Sequence, residues 1–202
     1  MAIDPDILRA GKLARELLIR QKPVRLPVKV ERLRFDKNLV IDSLERYCAL
    51  TGDTLERLCA GAHAALRDGC VLVKQRKNRK IYIILYNERA GSLRRRNFTL
   101  AHEVGHIYLE HQEDGPEEER QANAFAAELL MPRVLASEYL KMLGDSPDPA
   151  FALAQTFSVS MSMARLRLRS IAREEVCVAS EKELLIRYRA ALPHPNEPDI
   201  AY

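Results

Sequence analysis

Residues 97–111 read NFTLAHEVGHIYLEH. Asn97 is a residue type that caps helices, and the stretch behind it predicts a helix. Within it, His102, Glu103, Val104, Gly105 and His106 spell H-E-x-x-H. The i, i+4 spacing sets both imidazoles on one helical face, about one turn apart. Two neutral imidazole nitrogens so placed can reach a single tetrahedral zinc ion at about 2.0 to 2.1 Å each. Glu103 falls beside the position left open. There its carboxylate can take a proton from a zinc-bound water, whose pKa such a site lowers toward about 7, and hand it to a leaving amine. The stretch therefore predicts Zn2+ as cofactor, His102 and His106 as ligands and Glu103 as general base. Gly105 in mid-helix costs about 1 kcal/mol relative to Ala, which suggests a second element packed closely against this one.

A catalytic zinc takes three protein ligands, so one more must come from elsewhere. The longer H-E-x-x-H-x-x-G-x-x-H pattern is excluded, because Leu109 and Gln112 stand where it needs Gly and His. His111 lies about 140° around the helix from His106 and faces away unless the helix ends first. The stronger candidate is Glu119, which opens a following helix through ERQANAFAAELLMP, ended at Pro132. Asn123, one turn on, can hydrogen-bond a ligand as outer support, and Ala122 and Ala126 would let the two helices approach. Glu118, about 100° away, is the fallback ligand. The competing reading is that Glu117, Glu118 and Glu119 merely favour the positive end of a helix dipole.

Outward from this pair of helices, Lys80–Tyr86 and Cys70–Lys74 are rich in Val, Ile and Tyr and flank the polar RKNR, which predicts a β-hairpin whose second strand is central. Asp42 or Ser43 can cap a helix to Leu50, broken at Gly52, and Asp53 a second through Leu66, stopped by Gly69. His63 within that second helix reads as a packing or surface residue. Residues 7–20 repeat leucines at helical spacing until Pro23 and Pro27. Pro147 and Pro149 mark a joint, after which 151–171 and 181–190 are again helical, before a polar tail. The expected organisation is an N-terminal helix over 1–22, a metal-binding domain over 23–145, a helical segment over 146–192 and a tail over 193–202.

Composition bounds the classes. With 202 residues, 47% hydrophobic and 30% charged, the chain has material for one generous domain and is not a disordered sequence. Its longest apolar run, Ile81–Tyr86, is far short of the roughly 20 residues a membrane span needs, and MAIDPD is unlike a signal peptide. A soluble, cytoplasmic protein with no membrane partner is the expectation. Cys48, Cys59, Cys70 and Cys177 form no C-x-x-C pair and read as reduced, mostly buried thiols. A net charge of +4 permits nucleic-acid contact without arguing for it. Arg94, Arg95 and Arg96 read as a solvated loop near the metal helix.

The two phrases RRNFTLAHEVGH and ERQANAFAAELLMP, in this order and separated by a short polar loop, resemble the ImmA/IrrE-type zinc metallopeptidases. The resemblance covers Pro27 to about Leu143, and 81–87 is similar to the strand ending in Asn that precedes the metal helix in that family. It implies an α+β, mostly helical, zincin-like metallopeptidase core with a small β-sheet. It also implies His102, His106 and Glu119 as zinc ligands, Glu103 as general base, and a helix-turn-helix transcriptional repressor as the protein substrate, cut during a stress response or mobile-element induction. The two expected helices between Leu39 and Gly69 depart from the compact pattern.

Two function classes stand. The first is a zinc endopeptidase in which zinc-bound water attacks a peptide carbonyl, Glu103 moves the proton, and Tyr108 or Tyr139 is the candidate stabiliser of the oxyanion. The second is a DNA- or partner-binding regulator with a structural metal site. It rests on LAQTFSVS (153–160) followed by Arg165 and Leu166, which resembles a helix-turn-helix phrase like the segments that follow the core in that family. Arg165, Arg167, Arg169 and Arg173 are its candidate phosphate contacts. Because arginines spaced by two do not share one helical face, packing of this segment as a helical lid is the favoured reading of the two.

Overall fold

The computed structural model describes residues 4–21, 26–54, 57–58, 68–89, 91–113, 115–172 and 179–194. The fold is α+β and mostly helical, with one three-stranded sheet. The chain divides into two compact units, residues 1–10 with 29–126, and residues 11–28 with 127–202. No helix among the described residues is long and apolar enough to cross a membrane.

The first unit is built on the sheet. Strands β2 (Gly69–Arg76) and β3 (Arg79–Tyr86) form the expected antiparallel hairpin. They run into the RKNR stretch and leave a tight turn where Lys77 adopts φ 52°. Strand β1 (Leu39–Ser43), which the sequence did not suggest, pairs parallel with β3, giving the order β1-β3-β2. β3 is thus central and β2 is an edge. β1 is short and its partner distant in sequence, so it carries no local hairpin signature. It leads directly into helix α2 (Leu44–Thr51), capped by the Ser43 hydroxyl accepting from the Arg46 N–H at 3.2 Å and closed by Gly52 at φ 73°. Leu44 and Tyr47 of α2 bury against Leu85 on one face of the sheet. The helix expected from Asp53 to Leu66 lies mostly outside the described residues, as do His63, Cys59, Cys177 and Arg173. Cys48 and Cys70 are each half-buried and, among the described residues, in no disulfide.

The other face of the sheet carries helix α3 (Leu93–Leu109). The approach is close: a Cβ on Gly69 would lie 2.7 Å from the Thr99 methyl and 2.9 Å from the Leu85 carbonyl oxygen. The cap of α3 is Ser92, whose hydroxyl accepts from the Arg95 N–H at 3.3 Å, and not the expected Asn97. Both are capping types; Asn97 is instead used inside the helix, where its side-chain oxygen accepts the Val30 N–H at 2.9 Å. Arg94, Arg95 and Arg96 therefore sit in the first turn of α3 and not in a loop. Positive charge opposes the dipole there, and Asp68 at 2.6 Å from Arg95 and Glu31 at 3.6 Å from Arg96 offset it. Helix α4 (Pro116–Leu130) crosses α3 at Gly105, where a Cβ would stand 3.2 Å from Ala122 Cα, Ala122 O and Phe125 Cβ. α4 is the close neighbour that a mid-helix glycine suggested. Arg120 on α4 pairs with Asp4, just before helix α1 (Pro5–Ile19).

The second unit is helical. Helix α5 (Arg133–Leu143) packs on α6 (Pro149–Thr156), α7 (Met161–Ile171) and α8 (Ala179–Tyr188) around Leu135, Leu153, Phe157 and Leu184. α5 falls in the same unit as the C-terminal helices. α6 and α7 are joined by a tight turn in which Ser158 adopts φ 51°, and the Ser160 hydroxyl caps α7 by accepting from Met163 N–H at 3.2 Å. The stretch 153–160 thus spans the end of α6, the turn and the cap of α7. Buried Glu128 receives Arg15 at 3.1 Å and Arg167 at 3.0 Å, and buried Glu181 receives Arg133 at 2.7 Å.

Candidate metal centre

All residues of the site lie in the first unit. His102 and His106 stand one turn apart on α3, and Glu119 comes from the first turn of α4. His102 Nε2 is 3.0 Å from His106 Nε2 and 3.4 Å from Glu119 Oε2, and His106 Nε2 is 3.5 Å from Glu119 Oε1. One donor atom from each of the three lies within 4.8 Å of the others. Ligands of a tetrahedral zinc at about 2.0 to 2.1 Å sit about 3.3 Å from one another, so this donor set fits such an ion. Three lone-pair atoms converging on one point repel each other unless a cation or proton lies between them. The structure brings together the three residues that the sequence pointed to, and Glu119 and not Glu118 joins the pair.

The outer nitrogens of both rings are engaged. His102 Nδ1 is 3.1 Å from Asn123 Oδ1, an arrangement in which the ring donates and Nε2 is left bare. His106 Nδ1 is 3.1 Å from His111 Nδ1, and His111 Nε2 is 3.1 Å from Gln121 Oε1. His111 is thus an outer partner of a ligand, not a third ligand. It can turn back because α3 ends at Leu109 and Glu110 takes the left-handed conformation, φ 63°.

A groove of about 940 Å³ opens over the cluster. Its lining includes Glu103, Tyr82, Arg95 and Lys80, and it runs along the edge strand at Val71 and Val73. The two tyrosines expected as oxyanion stabilisers are otherwise occupied. Tyr108 donates to Asp36 Oδ1 at 2.5 Å and stacks near Phe125, while Tyr139 is buried edge-on to Phe157 in the second unit. Each lies on an apolar helix face that demands burial. Arg167, proposed as a phosphate contact, is turned inward, onto Glu128 and the Ala127 carbonyl. Arg165 and Arg169, one turn apart, are exposed on the outer face of α7 beside Leu166.

Several residues that shape the site gave no signal in the sequence. Lys37 donates to the carbonyl of Ile107 at 2.9 Å and to Glu110 at 3.3 Å, so it caps the last turn of the metal helix, with its ammonium over the Tyr82 and Tyr108 rings. Nothing in the local sequence around Lys37 points to that contact. Gln121 was detectable only as the residue one turn after Glu117, from whose Oε1 its Nε2 lies 3.2 Å away.

Residues 71–169 match the family model of Peptidase_M78, the IrrE N-terminal-like domain. No curated protein matches the chain.

Proposed function

We propose, from the match of residues 71–169 to the IrrE N-terminal-like peptidase model, that the protein is a zinc-dependent endopeptidase and that its substrate is a helix-turn-helix transcriptional repressor in the cytoplasm. The observation that carries this reading is the convergence of His102, His106 and Glu119 donors within 4.8 Å of one another on the floor of an open groove. Three protein ligands leave a coordination position for a reactant, whereas structural zinc sites are closed by four.

The chain's own residues divide the work. His102, His106 and Glu119 would hold the ion, with Asn123 keeping the His102 ring in the tautomer whose Nε2 is bare. A bound Zn2+ would supply Lewis-acid polarisation of the scissile carbonyl and of a water. Glu103, beside the ligands and lining the groove, takes the proton of the attacking water and delivers it to the departing amine nitrogen. An extended peptide suits the groove because β2 is an edge strand of the sheet among the described residues, along which a substrate backbone can pair while its side chains alternate inward and outward.

The test is direct. Wild-type protein loaded with zinc is incubated with purified helix-turn-helix repressors, and fragments are identified by mass spectrometry. Glu103→Gln should retain the metal and lower cleavage by roughly 100- to 10,000-fold, while Glu119→Ala should lose the metal and the cleavage together. Full cleavage by Glu103→Gln would refute the assignment.

The exposed Arg165–Arg169 face of α7 in the second unit favours a second reading, DNA binding by that helix. Gel shifts on duplex DNA decide it: a complex whose affinity falls steeply with salt supports it, and no complex at low salt removes it.

A further inference from the structure

We propose that Glu117, Gln121 and His111 form a hydrogen-bond chain of fixed polarity that sets the tautomer of His106, keeping its Nε2 free of a proton for the metal. The proposal rests on the metal-centre reading above, and it assigns to these three residues a positioning role. The direction of the chain follows from its far end. An ionised carboxylate only accepts hydrogen bonds, and Glu117 accepts from Arg120 at 2.8 Å and from Gln121 Nε2 at 3.2 Å. With the amide nitrogen facing the carboxylate, Gln121 Oε1 faces the other way, 3.1 Å from His111 Nε2. An amide oxygen only accepts, so the His111 proton sits on Nε2. A neutral imidazole carries one such proton, which leaves His111 Nδ1 as an acceptor. His106 Nδ1, 3.1 Å away, must then be the donor. By the same count His106 Nε2 is bare, and it is this atom that stands 3.0 Å from His102 Nε2 and 3.5 Å from Glu119.

The backbone builds the chain as deliberately as the side chains. Glu110 takes the left-handed conformation at φ 63° and ψ 33°, and the N–H groups of both Glu110 and His111 reach the carbonyl oxygen of His106. This helix ending folds the His111 ring over the His106 ring, with centroids 5.0 Å apart and planes at 79°. On α4, Glu117 and Gln121 are one turn apart, so the chain links the two helices that carry the ligands. The nitrogen that a histidine offers to a metal is set by the bond its other nitrogen makes. Here that bond depends on a carboxylate three hydrogen bonds away.

The experiment uses the full chain, metal-free, with nitrogen-15 histidine. Long-range proton–nitrogen correlation spectra read the tautomer of each ring directly, and titration with Co2+ alone reads affinity. Wild type should show His106 protonated at Nδ1. His111→Ala and Gln121→Leu both cut the chain. In each, His106 should become a mixture of tautomers and the Co2+ dissociation constant should rise by about 10- to 100-fold. Gln121→Leu leaves His111 and its turn in place, so it remains informative if His111→Ala misfolds. Gln121→Glu, which still offers an acceptor to His111, should restore the wild-type tautomer. An unchanged His106 tautomer in Gln121→Leu overturns the relay, whatever the affinity. Failure of wild type to bind Co2+ while His106 stays protonated at Nδ1 overturns the metal-centre reading and supports the relay.

Discussion

Gly105 shows how one missing methyl group sets the geometry of the metal centre. Alanine in its place would raise helix propensity by about 1 kcal/mol. The added Cβ, however, would meet Ala122 Cα, Ala122 O and Phe125 Cβ, each at 3.2 Å, so α4 would have to move by a few tenths of an ångström. Glu119 and Asn123 ride on that same helix, so the movement is transmitted to the ligand and to the support of His102. The two effects oppose each other in folding but not at the site. Gly105→Ala should therefore change the melting temperature little and weaken zinc binding by about tenfold or more, as displacing outer support does; chelator competition and thermal melts on the same sample measure both. Unchanged zinc affinity would mean that the helix crossing yields without moving Glu119. The sequence already marked Gly105 as unusual because glycine is expensive inside a helix, but a chain of letters does not say which helix lies against it.

At the scale of elements, α4 has duties at both of its ends. Its first turn supplies Glu119, and near its last turn Glu128 is buried between Arg15 and Arg167 in the second unit. Removing one member of a buried ion network leaves the others as uncompensated charges, which costs about 3–5 kcal/mol. Glu128→Ala should accordingly lower folding stability by about that amount in urea denaturation, and a loss below about 1 kcal/mol would show that the two arginines find solvent or other acceptors. Elements with local punctuation were legible in the sequence. Ser43 and Gly52 bracket α2, RKNR marks the hairpin, and Pro149 marks the joint at which α6 begins. β1 and the true start of α3 were not. β1 exists only through its pairing with β3, and Asn97 was free to be read as a cap until Val30 was seen to need its side-chain oxygen. The spacing of the α7 arginines said that neighbours two apart could not share a face, and Arg167 indeed leaves the face of Arg165 and Arg169, but only the fold shows that Glu128 is what draws it in.

For the whole molecule, the metal triad was legible because helical spacing is a local rule, while the outer partners of the triad depend on how α3 ends and what α4 presents to it. The response to pH is likewise a property that no local pattern reveals, and it differs between the two units. In the first, the Arg120 guanidinium holds the Asp4 carboxyl below its usual range. A group with a depressed folded pKa stabilises the fold above its unfolded pKa and loses that contribution as pH falls through the folded one. The pair is exposed, so the acid limb from this contact should be shallow and sensitive to salt. In the second, Tyr188 is 2% exposed, donates to the Leu18 carbonyl at 2.9 Å, and burial pushes its pKa up to about 12 from an ordinary 10.0. The folded chain then keeps a proton that the unfolded chain releases, so stability should decline as pH rises from about 10 to about 12. Tyrosinate absorbance should show one late-titrating ring in wild type, absent in Tyr188→Phe. In denaturant titrations the Tyr188→Phe protein should start less stable near neutrality, having lost a buried hydrogen bond, yet show a flatter decline over that alkaline window. An equally steep decline in the variant would assign the alkaline limb to other groups.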